Sequence, residues 1–140
     1  MTYNLRSICK MANRLAKEVK RSDAFKQAWR AAKHGIIEKV VGVTYGGRQG
    51  ILEQLDQYHN ADIQIQIEHE RNNPFDVNAV LVTASVVGHD LPMRIGYLDR
   101  RNAGIWASLM DQGVWFKTIL QGIVGGYNGQ NYGMRIKILV

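Results

Sequence analysis

Residues 63–80 read IQIQIEHERNNPFDVNAV, and the reading of this stretch decides the fold. Ile63, Ile65 and Ile67 alternate with Gln64, Gln66 and Glu68, the period of a strand with one face buried. Two asparagines, a proline, an aromatic and an acid then break the alternation. A second apolar run, AVLVTASVV (79–87), follows at once. A tight hairpin needs only two turn residues such as Asn-Gly. This connection carries more chemistry than a turn requires, and the surplus calls for a function.

Outward from it, short strands are predicted over IIEKVVGVTY (36–45), Asp62–Glu70, AVLVTASVV (79–87), MRIGYL (93–98), VWFKTILQGIV (114–124) and NYGMRIKILV (131–140). Helices are predicted over RQGILEQLDQYH (48–59) and Arg100–Gln112, the latter with Ala103, Trp106, Ala107 and Met110 inward. The glycine-rich GGYNGQ (125–130) reads as a flexible hairpin. Short strands with two interposed helices indicate a small, strongly bent sheet or barrel.

The N-terminal quarter has a different texture. Leu5, Ile8, Ala12, Leu15 and Val19 recur at spacings of three and four, one face of a helix over 4–20. Arg6, Lys10, Arg14, Lys17 and Arg21 fall on the opposite face. Ser22 is a good N-cap for a second helix, with Asp23 in its first turn, and His34-Gly35 ends it. Ala24, Phe25, Ala28, Trp29 and Ala32 supply its apolar stripe. The fold class expected is therefore α+β: a helical hairpin in residues 1–35 followed by a β-barrel with two helices in residues 36–140.

Charge divides along the same line. Of 18 Lys/Arg and 12 Asp/Glu, residues 1–35 hold nine bases and two acids, a net +7, and residues 36–140 a net −1. Such asymmetry points to a polyanion, nucleic acid first and an anionic membrane second; a solvated, solubilising helix face is the bland alternative. No apolar run of about 18 residues is present to span a membrane, and the N-terminus has no secretory h-region. One cysteine, Cys9, cannot form an internal disulfide, so a reducing cytoplasmic setting is expected.

Enzymatic signatures are missing. The four histidines show no i, i+4 pair and no cysteine partners for zinc. Glu68-His69-Glu70 is a tempting metal triplet. On a strand, however, His69 points away from the two glutamates, and a solvated strand edge is the reading favoured. There is no P-loop and no G-x-S-x-G. No cofactor, no metal and no catalysis are expected. What remains is a scatter of aromatics near strand ends (Tyr45, Phe75, Tyr97, Tyr127, Tyr132) with Arg48, Arg100 and Arg101 close in sequence. That is the composition of a platform for unstacked bases.

The order VGVTYGGRQ (41–49), IEHERNNPFDVNAVLV (67–82), IGYLDRRNA (95–103) resembles the HIRAN domain, over roughly residues 37–140. That module occurs in fork-remodelling helicases of the Snf2 type and in small bacterial and phage proteins. The resemblance implies a modified OB-like barrel with two helices that binds single-stranded DNA and holds its free 3′ end in a pocket. By the same resemblance, Tyr45 stacks on the terminal base. Asn73, Phe75 and Asp76 form the turn that packs the other base face and meets the sugar hydroxyl. Tyr97 and Arg100 face phosphate, and Tyr132 lines the pocket. A carboxylate accepts from a 3′-OH and repels a 3′-phosphate, which gives Asp76 a reason to stand in a DNA site. Asn73 and Asp76 have an alternative role, holding local backbone as such residues do in turns. Two departures stand out: Thr44 replaces a basic residue, with Arg48 available in its stead, and Phe75 lacks a hydroxyl often present there. Without a helicase or RING segment the chain is not expected to remodel forks itself. A second reading, from another class, is a phage or mobile-element protein that uses the domain against a host nucleic-acid enzyme such as a defence nuclease.

Overall fold

The computed structural model describes residues 3–89 and 91–140. Six antiparallel strands run β1 (Ile36–Val41), β2 (Ile63–His69), β3 (Val80–Val86), β4 (Met93–Leu98), β5 (Lys117–Val124) and β6 (Gly133–Leu139). They form one sheet in the order β2-β3-β4-β1-β6-β5. The sheet curls until its two edge strands meet, where Thr118 Oγ1 donates to the Ile65 carbonyl at 2.6 Å. The result is a nearly closed barrel, and the fold is α+β as expected. Alternation fills it: Ile63, Ile65, Val80, Val82, Ala84, Val40, Met134, Ile136 and Ile138 all point inward and are buried.

Among the described residues four α-helices, α1 (Leu5–Leu15), α2 (Arg21–His34), α3 (Arg48–Leu55) and α4 (Arg100–Asp111), and a short 3-10 turn at Asn60–Asp62 accompany the sheet. α4 packs on β2, β3 and β4. It buries Ala103, Trp106, Ala107 and Leu109, while Met110 is only half-buried. Glu38 of β1 is a buried carboxylate, and α4 satisfies it through Asn102 Nδ2 (3.1 Å) and Trp106 Nε1 (3.2 Å). The hairpin of α1 and α2 packs on α4 and β6, and its buried residues run without a break into the barrel core.

Several sequence expectations shift. The 48–59 helix ends at Leu55, and Phe25 of the α2 stripe is exposed. α1 stops at Leu15, not residue 20; the turn that follows leaves Val19 exposed, and Leu5 is exposed at the other end. Met11 and Ser7 take their places in the buried stripe. Lys20, not Ser22, is the N-cap of α2, and its side chain makes no capping bond. The first strand ends at Val41, because Gly42 turns the chain at φ 72° and sends Tyr45 into a loop with Gly46 and Gly47.

Candidate nucleic-acid interface

The loop between β2 and β3 is held by its own polar side chains. Asn73 Oδ1 accepts from the backbone N–H groups of Phe75 (2.8 Å) and Asp76 (3.1 Å). Asp76 Oδ1 accepts from Asn78 N–H at 2.9 Å. Backbone bonds from Glu70 N to Ala79 O and from Ala79 N to Asp76 O close the loop at its base. Asn73 and Asp76 thus both do the local work open to such residues in turns. The other Asp76 oxygen faces Arg100, 3.8 Å from Nε, and Arg100 also donates to the Phe75 carbonyl at 3.3 Å. Held this way, the Phe75 ring is 86% exposed. A phenyl ring presented to water on a braced turn is a surface ready for a partner, since burial would otherwise be favoured.

Glu70 is the hub beneath this loop, and the sequence reading gave it no site role. Its Oε1 accepts from Tyr97 Oη at 2.9 Å and from Asn73 Nδ2 at 3.0 Å, and its Oε2 pairs with Arg94. Burial pushes the Glu70 carboxyl up. The bonds from Tyr97 and Asn73 and the Arg94 charge outweigh that, leaving it below its ordinary value. Burial and the Glu70 carboxylate together raise the Tyr97 hydroxyl. The signal was present: Glu70 is the first residue of the E-x-x-N-P pattern. Arg94 was invisible for a geometric reason. It stands three residues from Tyr97, which on a regular strand places the two on opposite faces. The β3–β4 register slips by one between Val82 and Thr83, and this bulge lets both side chains reach Glu70 while Ile95 and Leu98 both point into the core.

Tyr97 joins this hub to the loop after β1. The Arg48 guanidinium lies 5.8 Å from the Tyr97 ring centre and donates to the Gly42 carbonyl at 2.7 Å. Arg48 is therefore engaged with the protein, spanning the base of the loop whose tip carries Tyr45, 69% exposed. Gln49, next along α3, holds a third segment. It donates to the carbonyls of Val43 (3.0 Å) and Tyr132 (2.9 Å) and accepts from Tyr132 N–H at 2.7 Å. The half-buried Tyr132 ring lies against Gly126, where any Cβ would meet it at 2.2 Å. Gln49, part of the GRQ segment, was not singled out from the sequence.

His69 also turns out to be engaged and not solvated. Its ring nitrogens approach Asp111 Oδ1 (2.8 Å) and the Val77 carbonyl (2.7 Å), so it pins the loop to the end of α4. Among the described residues no His, Cys, Asp or Glu cluster has the form of a metal site.

The expected basic row does not lie on one helix face, because α1 ends at Leu15: Arg6, Lys10 and Arg14 are on α1, Lys17 is in the turn after it and Arg21 opens α2. Arg6, Lys17 and Arg21 are exposed. Lys10 Nζ donates to the Gln112 carbonyl at the end of α4 (2.7 Å), and Arg14 pairs with Glu18 (2.9 Å). Arg14 nonetheless adjoins the loop: a Cβ on Gly104 of α4 would stand 3.9 Å from its Nη2 and 3.7 Å from Asn78 Nδ2. Among the described residues no helix is long and apolar enough to cross a membrane.

A model of the HIRAN domain matches residues 37–139. A crystal structure of a protein from Lactobacillus plantarum is similar over 74% of this chain and 92% of that one, with 22% identity and a TM-score of 0.49. No curated protein matches the chain.

Proposed function

Because the chain belongs to the HIRAN domain family, whose members are nucleic-acid-binding modules, we infer that it captures single-stranded DNA and receives a free 3′ end between Tyr45 and Phe75. The observation that carries this reading is the pairing of exposure with bracing. Two aromatic rings stand in solvent, each on a loop fastened by side-chain hydrogen bonds, through Asn73 and Asp76 on one side and Arg48 on the other. A rigid stacking surface loses little entropy on binding, and stacking on a base contributes about 1–3 kcal/mol without sequence preference. Asp76 supplies end chemistry: its carboxylate accepts from a 3′-OH and repels a 3′-phosphate. Arg100 beside it offers a contact to phosphate. The exposed Arg6, Lys17 and Arg21 of the hairpin add ionic affinity. A role as a binding module, without catalysis, follows from the same chemistry.

The test is a fluorescence titration with single-stranded, duplex, 3′-OH and 3′-phosphate oligonucleotides. Single strands with a 3′-OH are expected to bind tightest. Asp76→Asn keeps an oxygen for Asn78 N–H and removes the charge, so it should bind single strands while losing the preference between ends. Full end preference in a folded Asp76→Asn protein would sink the pocket role. If no oligonucleotide binds, the reading fails, and a protein partner such as a host nucleic-acid enzyme becomes the better one.

A further inference from the structure

The barrel's net charge of −1 hides a cluster of cations on its outer face. β1 and β6 pair with Lys39 directly opposite Arg135 and Ile37 opposite Lys137. Lys137 also faces Ile119 of β5. Alternate residues of a strand share a face. The intervening Glu38, Val40, Ile136 and Ile138 are buried, so Lys39, Arg135 and Lys137 stand together on the solvent side. None of the three belongs to an ion pair among the described residues. Like charges directly opposite on a sheet repel each other. Asp99, at the end of β4, feels the Lys39 charge, but Arg101 holds it at 2.8 Å. Across from Arg135 on its other side stands Gly122, and a Cβ there would meet nothing within 4 Å. The cations thus border open space flanked by the exposed side chains of Ile37 and Ile119.

This cluster is continuous with the candidate interface. Tyr97 pairs with Val41 of β1, two residues from Lys39. Along the sheet the outer face therefore passes from Tyr97 to Val41, then to the Lys39–Arg135 row, then to the Ile37–Lys137 row. From Val41 to Ile37 is about 14 Å at the usual strand rise. Successive rows are about 7 Å apart, a step comparable with one nucleotide of an extended backbone.

We propose that Lys39, Arg135 and Lys137 form a phosphate track on the outer face of the barrel, along which the sugar–phosphate backbone runs away from the Tyr97 site. The track rests on the single-strand-binding reading above and adds to it a path and a minimum length. An anionic backbone would relieve the Lys39–Arg135 repulsion, and Ile37 and Ile119 would lie against its sugars.

The test compares the full chain with Lys39→Gln/Arg135→Gln/Lys137→Gln. Affinity for single-stranded oligonucleotides of increasing length is measured over a salt series. Each phosphate contact to a single strand contributes a log–log slope of about −0.7, so the triple variant should bind with a slope shallower by about 2. The wild type should gain affinity once the oligonucleotide extends about 14 Å past the stacked end, and the variant should lose that gain while keeping its preference between 3′ ends. Lys20→Gln/Lys26→Gln/Arg30→Gln, exposed at the N-cap and on the body of α2, controls for net charge and should leave the length dependence intact. An unchanged slope in the first variant, or an equal loss of length dependence in the second, overturns the track. Should the triple variant unfold, Arg135→Gln alone is expected to flatten the slope by about 0.7, and no change there is equally decisive. A wild type that binds no single strand removes the functional reading itself. A wild type that binds with end preference but loses nothing in the variants removes only the track.

Discussion

Glu70→Gln changes one charge and almost no shape, so it isolates what the carboxylate does beneath the loop. The carboxylate accepts from Tyr97 and Asn73 through one oxygen and pairs with Arg94 through the other. Glutamine keeps one acceptor oxygen; its other terminal group is a donor. If the oxygen stays with Tyr97 and Asn73, the amide nitrogen confronts the Arg94 guanidinium, donor against donor. The ion pair itself contributes little, about 0–1 kcal/mol, because the Arg94 side chain is 58% exposed. The two bonds to the hub fall from the charged class, about 1.5–3 kcal/mol each, toward the neutral value near 1. Together these put the loss at about 2 kcal/mol, or about 6–8 °C in Tm for a chain of this size. The pH dependence provides an independent signature. A carboxyl held below its ordinary 4.5 contributes stability that is present above that pH and lost as pH falls through its folded value. Urea unfolding of both proteins should therefore show the full difference at pH 7 and a shrinking difference below about 4.5. Equal stabilities at pH 7, or a difference that persists unchanged into acid, would refute the account of Glu70 as a charged hub.

Phe75→Ala and Tyr45→Ala should each weaken single-strand binding by about 1–3 kcal/mol. Both rings are exposed, so neither change should move the unfolding midpoint much; a large fall in Tm for either would show that the ring is structural. His69 should strengthen the loop's anchor on the acid side. Burial pulls its pKa down, but the bonds to Asp111 and the Val77 carbonyl outweigh this and raise it above 6.5. Only the imidazolium donates from both ring nitrogens. The stability it adds is complete below about pH 6.5 and lost as pH rises through the folded value. Amide exchange at Ala79, whose N–H donates to the Asp76 carbonyl within this loop, should therefore quicken with pH beyond the intrinsic rate increase, in step with the His69 ring titration seen by NMR. Arg6→Gln/Lys17→Gln/Arg21→Gln should flatten the salt slope of binding by up to about 2 and leave discrimination between 3′ ends unchanged; an unaltered slope would show that the hairpin does not meet nucleic acid.

Much of this architecture was legible because local pattern and tertiary environment agree. The Ile63-Ile65-Ile67 alternation is a half-buried strand, and the elaborate connection after it is the loop that carries Phe75. Elements failed at their ends, where the deciding term is not periodic. The first strand stops at Val41 because Gly42 adopts a left-handed φ of 72°. Val19 fits the helical spacing but follows the turn that ends α1. The larger omissions concern side chains joined by the sheet itself. Arg94 reaches Glu70 only through a bulge. Gln49 clamps Tyr132 from 83 residues away. Lys39 and Arg135 become neighbours only through the β1–β6 register, so a charge sum over residues 36–140 averages them away.

The same contrast bears on where function lies. Among the described residues no buried side-chain nitrogen or oxygen lacks a partner, and even the buried Glu38 is satisfied by two donors. A chain this consistent in its interior departs from local stability rules at several exposed places, among them a phenyl ring in water at Phe75, a phenol in water at Tyr45, and like charges face to face at Lys39 and Arg135. Each departure is locally unfavourable, and the reading proposed above relieves each with a different part of one ligand: bases would cover the rings and phosphates would neutralise the cations. Departures of this kind concentrate at sites that bind. The two forces also separate in solution, because stacking depends little on salt whereas phosphate contacts fade as salt rises. High salt should therefore strip affinity from the proposed phosphate track first and leave a weaker complex in which the end preference proposed for Asp76 persists through the stacked end.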